Sequence, residues 1–402
     1  MILSSEFHKK EVMKWDIIRR LALINNNQKM KNIILSITLL LPILLFSQRH
    51  EGQKKVLMVV SSYGKDKGVI RPGFEFDEFS QAYLIFKNNN LLIDVASPKG
   101  GKVDADQFNK EKLYNKTFLE DKNALKLLEN TLATADVNAE DYNAIYIVGG
   151  KGAMFDLPYD PSLQDIILNL YKRENTVISS VCHGPAAFVN VKDNDEYIIN
   201  GIELTSFCNV EEELFGKKWV KEFPFSLENK LKERGASFEQ TDFMLSKVVV
   251  SGKFVTGQNP FSTTKCAEAV VKSLGNNPVY RKWYDDEKSV YLIQELLNDE
   301  KTIKWAEEEL EKNKAKYDIS LIAAYGYYKI LASEENNEEL NKGIELFELA
   351  SPHFFNENLH LFLAKTYVSI GNKEKAKELL NELILKGLLK NKATKLLEEL
   401  QE

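Results

Sequence analysis

Between residues 54 and 274, short runs rich in Val, Ile and Leu alternate with stretches whose apolar positions recur every three or four residues. An unbroken apolar run bounded by turn residues marks a buried strand, and a period near 3.6 marks a helix. Strands are therefore expected at 54–60 (KKVLMVV), 91–96, 144–148 and 176–181, and helices at 74–86, 119–132, 163–171 and 263–274. The first three strands close on turn formers: Ser61-Ser62-Tyr63-Gly64, Ser97-Pro98-Lys99-Gly100-Gly101 and Gly149-Gly150. Residues 204–207 extend the expected sheet, and 248–255 (VVVSGKFV) read as a hairpin turning at Ser251-Gly252. This alternation builds βαβ units, so the predicted class is α/β: a doubly wound parallel sheet with helices on both faces and a ligand site beyond the carboxyl ends of its strands. After a Gly275-Asn276-Asn277-Pro278 break, residues 279–402 lose the strand pattern and are expected to be all-helical.

The chain length, 402 residues, exceeds one average domain and suits this division into a body at 54–275 and a tail at 279–402. Residues 33–46 (IILSITLLLPILLF) form an apolar run too short for a typical spanning helix. With Lys29 and Lys31 before it and Ser47 after it, the run has a secretory signal layout. Residues 30–48 are thus expected to be a signal peptide starting at Met30, with 1–29 an upstream extension; an N-terminal membrane anchor is the alternative. The folded part is expected to be exported, periplasmic or secreted. A net charge of −6 argues against a phosphate-neutralising surface, so no nucleic-acid partner is expected.

Three Cys are too few for a disulfide framework, and their odd number leaves a free thiol. Cys182 stands apart from the others: the strand at 176–181 runs straight into Cys182-His183-Gly184-Pro185. A strand, one nucleophilic residue and a Gly-Pro opening of a helix is the nucleophile-elbow arrangement. The helix N-terminus predicts a lowered thiol pKa at Cys182. Cys208 and Cys266 lack that context and read as structural.

The stretches PGFEFDEFSQAY, DVASPKGG, VGGKGAMFDLP, VCHGPAA and VTGQNP, in this order, resemble the PfpI superfamily, or class I glutamine amidotransferase-like proteins. The likeness is to the branch holding glyoxalase III enzymes and heat-shock holding chaperones. It implies a flavodoxin-like body with Cys182 as nucleophile and His183 beside it. The family's acid after the first strand falls on Glu78, with Glu75 as the alternative, and the third triad acid falls on Glu212, with Glu211 as the alternative. Gly149 and Gly150 match the family's oxyanion loop, so the N–H of Gly150, with that of His183, is expected to hold an alkoxide. Lys151 joins the substrate-binding set. A carboxyl beside a thiolate implies a shared proton, with Glu78 protonated against sulfur.

The implied activity is conversion of a 2-oxoaldehyde such as methylglyoxal to a 2-hydroxy acid (D-lactate), through a hemithioacetal and a thioester on Cys182, with no redox cofactor or metal. A holding chaperone or thiol stress protein, and a Cys amidase or peptidase, are the alternatives. Two positions depart from the branch: Lys151 replaces a His after the Gly pair, and Gln81-Ala82 replaces a His-Pro pair. Of the five His, only His183 lies in the body, which disfavours glutaminase chemistry and a His-based zinc site. In the tail, Ala364, Tyr367, Gly371 and Ala376 resemble a tetratricopeptide helix pair, with a weaker copy from Ile319 through Gly326 and Gly343 to Leu349. Two repeats need a supporting surface, so the tail reads as a cap that stabilises or dimerises the body (a homodimer), or as a groove for a peptide or protein partner. Tyr325, Tyr327 and Tyr328 read as packing residues.

Overall fold

The computed structural model describes residues 53–333 and 336–400, and the expected leader lies outside them. The body begins with β1 (Lys55–Val59), α1 (Phe76–Asn88) and β2 (Leu92–Ser97). The helix expected at 119–132 is instead two short ones, α2 (Leu113–Glu120) and α3 (Lys122–Glu129), because the Asp121 side chain accepts from Asn123 N and Ala124 N and starts a new helix there. There follow β3 (Leu132–Ala133), β4 (Ala144–Ile147), α4 (Pro161–Lys172) and β5 (Val177–Val181). Asp160 caps α4 on Ser162 N, and Pro161 sits at its first position, where no N–H partner is needed. β6 (Val248–Ser251), β7 (Phe254–Gly257) and α5 (Thr263–Ser273) complete the body.

The main sheet has the order β6-β7-β5-β4-β1-β2-β3, parallel throughout except for the antiparallel β6–β7 hairpin. The body is a doubly wound α/β fold of the flavodoxin-like type. Its strand side chains alternate between two cores: Val56, Met58, Ala144 and Tyr146 pack with Phe79, Phe118 and Val270 on one face. Leu57, Val59, Ile145 and Ile147 pack with Leu163, Ile167 and Phe188 on the other. A sheet covered on both faces needs apolar residues at every strand position, which explains the continuous runs. The segment expected at 204–207 does not join this sheet; Glu203–Leu204 pairs with Ser237–Phe238 in a small separate one. Strand order reverses between β1 and β4, placing the ligand crevice above their carboxyl ends.

The tail is all-helical: α6 (Asp285–Leu297), α7 (Ile303–Asn313), α8 (Ile319–Ala332), α9 (Asn337–Ala350), α10 (Glu357–Ser369), α11 (Lys373–Leu385) and α12 (Lys390–Glu399). At Gly326 of α8 an added Cβ would lie 2.7 Å from Phe347 N, and at Gly343 of α9 one would lie 2.8 Å from Ile330 N, so these two helices touch backbone to backbone. Body and tail share one core, in which Phe243, Met244 and Leu245 pack with Val290, Ile293, Ile322 and Tyr325. Asp242 accepts from the Tyr325 hydroxyl at 3.0 Å and pairs with Lys329. Among the described residues no helix is long and apolar enough to cross a membrane.

Candidate active site

The chain leaves β5 through Cys182 with φ +57°. A non-glycine residue in that left-handed region costs about 1–3 kcal/mol and persists only where its surroundings enforce it. Here Cys182 N donates to Gly257 O and Phe207 N donates to Cys182 O, each at 2.9 Å. The sulfur lies 3.3 Å from His183 Nδ1, and His183 Nε2 lies 2.7 Å from Glu212 Oε1. A carboxylate only accepts, so Nε2 carries the ring proton and Nδ1 is left to accept from the thiol. His183 is buried, with its ring 4.6 Å from that of Phe207.

Glu212 opens a π-type turn, Glu212–Gly216, which aims its side chain at His183. Its neighbour Glu211 borders the same cavity as Cys182 but bonds into a buried network instead of to the imidazole. There Oε1 accepts from Met244 N at 3.0 Å and Asn259 Nδ2 at 2.8 Å, and Oε2 accepts from Cys208 N and Gln258 Nε2, each at 3.2 Å. Burial nevertheless holds its carboxyl up at about 7. Of the two acids that spacing left open, only Glu212 is hydrogen-bonded to the imidazole.

Glu78, in the first turn of α1, is fully buried, and its Oε2 accepts from Gly149 N at 2.7 Å. Among the described residues its Oε1 has no hydrogen-bond partner, and its carboxyl lies beside the Cys182 thiol. Burial, then the charge of Glu75, pushes the Glu78 carboxyl well above the usual range. Burial, then Glu78, pushes the Cys182 thiol up as well. Two adjacent acids in so dry a place hold a proton between them. The lowered thiol pKa expected from a helix N-terminus is therefore corrected. The turn after Cys182 is a five-residue 3-10 segment, Gly184–Phe188, whose dipole is too short to offset burial and a neighbouring carboxyl.

The Gly pair also divides its roles. Gly149 donates its N–H to Glu78 Oε2 at 2.7 Å, so within the expected loop only the N–H of Gly150 is left for an oxyanion. Gly150 adopts φ +94°, and among the described residues neither its N–H nor that of His183 has a backbone acceptor. Both residues line a cavity of about 260 Å³ onto which Cys182 opens. Glu75, Asp106, Lys151, Glu211 and Asn259 contribute to its polar lining; Phe207, Phe215, Met244, Phe261 and Tyr328 supply much of its apolar lining. Burial, then Asp77 and Asp106, raises Glu75 to about 8, with Lys151 opposing. Gln81, by contrast, does not line this cavity and donates to Asp77 O of its own helix at 3.0 Å. Asp106, Phe215 and Tyr328 carried no sequence signal of a site, and Tyr328 does more than the packing expected of it.

The class defined here is a doubly wound α/β protein with a cysteine in left-handed backbone at a strand end and a histidine–carboxylate pair beside it. Residues 55–273 match the model of the DJ-1/PfpI family. The chain belongs to that family, within its glutathione-independent glyoxalase branch. It is 31% identical to glutathione-independent glyoxalase hsp3102 of Schizosaccharomyces pombe, over 55% of this chain and 98% of that one. It is 29% identical to glyoxalase 3 of Candida albicans, over 56% and 99%. The solved structure of Candida albicans glyoxalase III matches with TM-score 0.51 and 27% identity over 55% of this chain and 97% of that chain. That of the Francisella tularensis Rapid Encystment Protein 24 kDa matches with TM-score 0.52 and 36% identity over 55% and 99%. The helical tail lies outside the matched family region.

Proposed function

We propose that this protein is a cysteine-dependent, glutathione-independent glyoxalase that converts a 2-oxoaldehyde such as methylglyoxal to a 2-hydroxy acid. The observation carrying this reading is the hydrogen-bonded series Cys182–His183–Glu212 with Glu78 behind the sulfur. Because burial keeps the thiol protonated, attack needs a base. His183 Nδ1 takes the thiol proton as sulfur bonds to the aldehyde carbon, and Glu212 stabilises the imidazolium. The alkoxide that forms is held by the N–H groups of Gly150 and His183 and is protonated to a hemithioacetal. Removal of the proton on the former aldehyde carbon gives an enediol, and protonation of the neighbouring carbon gives a 2-hydroxy thioester. Water cleaves that thioester, returning the thiol and releasing the acid, so one water is consumed and no electrons leave the substrate. Glu78, already protonated, is placed to hold and return a proton at sulfur.

The tail is proposed to be a tetratricopeptide-like cap rather than a separate solenoid, supported by the Gly326–Gly343 contact and the core shared with the body. The deciding experiment is incubation with methylglyoxal and measurement of lactate, for the wild type, Cys182→Ala and Glu78→Gln. Lactate from the wild type and none from Cys182→Ala is expected; a wild type that turns over neither methylglyoxal nor a bulkier 2-oxoaldehyde such as phenylglyoxal refutes the reading. Peptide hydrolysis lost in Cys182→Ala would move the assignment to an amidase, which the same triad could serve.

A further inference from the structure

The relatives named above align over nearly their whole length to about 55% of this chain, and the matched family region ends at residue 273. Tyr328 lies beyond it, on α8, yet it lines the same cavity as Cys182 and His183. Its ring meets Phe215 edge-on at 4.7 Å, and Phe215 belongs to the π-type turn that begins with Glu212. From there, aromatic contacts run to Phe207 at 6.5 Å and on to His183 at 4.6 Å. Packing places Tyr328: Gly326 lets α8 lie directly against α9, and Tyr325 and Lys329 on the same helix bond to Asp242 of the body. With Met244 and Phe261, Tyr328 and Phe215 make a broad apolar wall facing a reactive thiol. A three-carbon aldehyde has only a methyl group to offer that wall, and leaves most of the 260 Å³ unused.

We propose that the tail sets the specificity of this site through Tyr328, and that the preferred substrate is a 2-oxoaldehyde bearing a planar or bulky apolar substituent. This inference rests on the glyoxalase reading. In it the two carbonyls lie at Cys182, Gly150 and His183, and the substituent packs between Phe215, Phe261 and Tyr328. An aryl group there replaces water on the apolar wall, which a methyl group does far less well.

The test compares kcat/KM for phenylglyoxal and methylglyoxal in the wild type, Tyr328→Ala and Tyr328→Phe, following mandelate and lactate. The ratio of the two constants does not depend on how much of a variant is folded. The wild type is expected to favour phenylglyoxal, Tyr328→Ala to lower the ratio by about tenfold, and Tyr328→Phe, which keeps the ring, to hold it within about twofold. A wild type that favours methylglyoxal, or a Tyr328→Ala variant that loses both activities by the same factor, overturns the inference and leaves the glyoxalase reading standing. Turnover of neither aldehyde by the wild type sinks that reading, and this inference with it.

Discussion

Replacing Glu211 and Glu212 one at a time by Gln should separate a catalytic carboxylate from a structural one. Glu212 makes a single strong contact, the 2.7 Å bond to His183 Nε2. A hydrogen bond to a charged partner contributes about 1.5–3 kcal/mol, so its loss as the imidazolium forms should lower kcat/KM by about 10- to 100-fold. The loss grows if the new amide donates to Nε2, because Nδ1 then carries the proton and no longer accepts from the thiol. The thermal midpoint should move little. Glu211 shows the opposite pattern. Its two oxygens accept from Met244 N, Asn259 Nδ2, Cys208 N and Gln258 Nε2. A Gln amide turns one of those oxygens into a donor facing donors, at a cost of about 3 kcal/mol for two lost bonds. That corresponds to a midpoint lower by roughly 4 °C. Calorimetry and steady-state turnover of a 2-oxoaldehyde on both variants decide the matter. Glu212→Gln with wild-type turnover, or Glu211→Gln with wild-type stability and tenfold lower activity, would falsify this division of roles.

Glu78→Gln keeps an acceptor for Gly149 N–H but has no acidic proton to transfer, so turnover should fall by about 100-fold with the fold intact by circular dichroism; unchanged turnover removes Glu78 from the mechanism. Gly326→Ala places a methyl 2.7 Å from Phe347 N and should cost about 1–3 kcal/mol, read as a lower denaturant midpoint; an unchanged midpoint means that α8 and α9 are not in backbone contact. The raised acids Glu75, at about 8, and Glu211, at about 7, bind protons in the folded state that the unfolded chain has released above its carboxylate pKa of 4.5. Their contribution is fully present below pH 4.5 and is lost as pH rises through 7 and 8, so stability should decline across that window. Glu75→Gln should flatten the decline, and a slope unaffected by it would show that Glu75 titrates normally.

Most of the body was legible in the sequence, because a sheet buried on both faces leaves continuous apolar runs and its turns leave Gly and Pro. Cys182 and His183 were legible for a related reason: they are adjacent in the chain and follow directly on such a run. Where the reading failed, contacts distant in sequence or a single side chain decided the outcome. Asp121 broke an expected helix by capping its own successor, and Glu203–Leu204 left the main sheet for a partner more than thirty residues on. Spacing brought the third acid down to Glu211 and Glu212 and went no further, since one residue's difference is a matter of which way a turn rotates. The π-type turn settled that orientation. The protonation state of Cys182 was likewise invisible, because local sequence reports a helix end but not the depth of burial or the nearness of Glu78. Tyr328 is the plainest instance. Nothing about a tyrosine 146 positions after Cys182 marks it as part of a pocket; its place there follows from the anchoring of α8 on Asp242 and the packing of α8 against α9. The sequence by itself determined the class and the adjacency of Cys182 and His183 at a strand end, whereas tertiary packing decided which acid meets the imidazole, how deeply the thiol is buried and which side chains wall the cavity, because those depend on contacts distant in sequence.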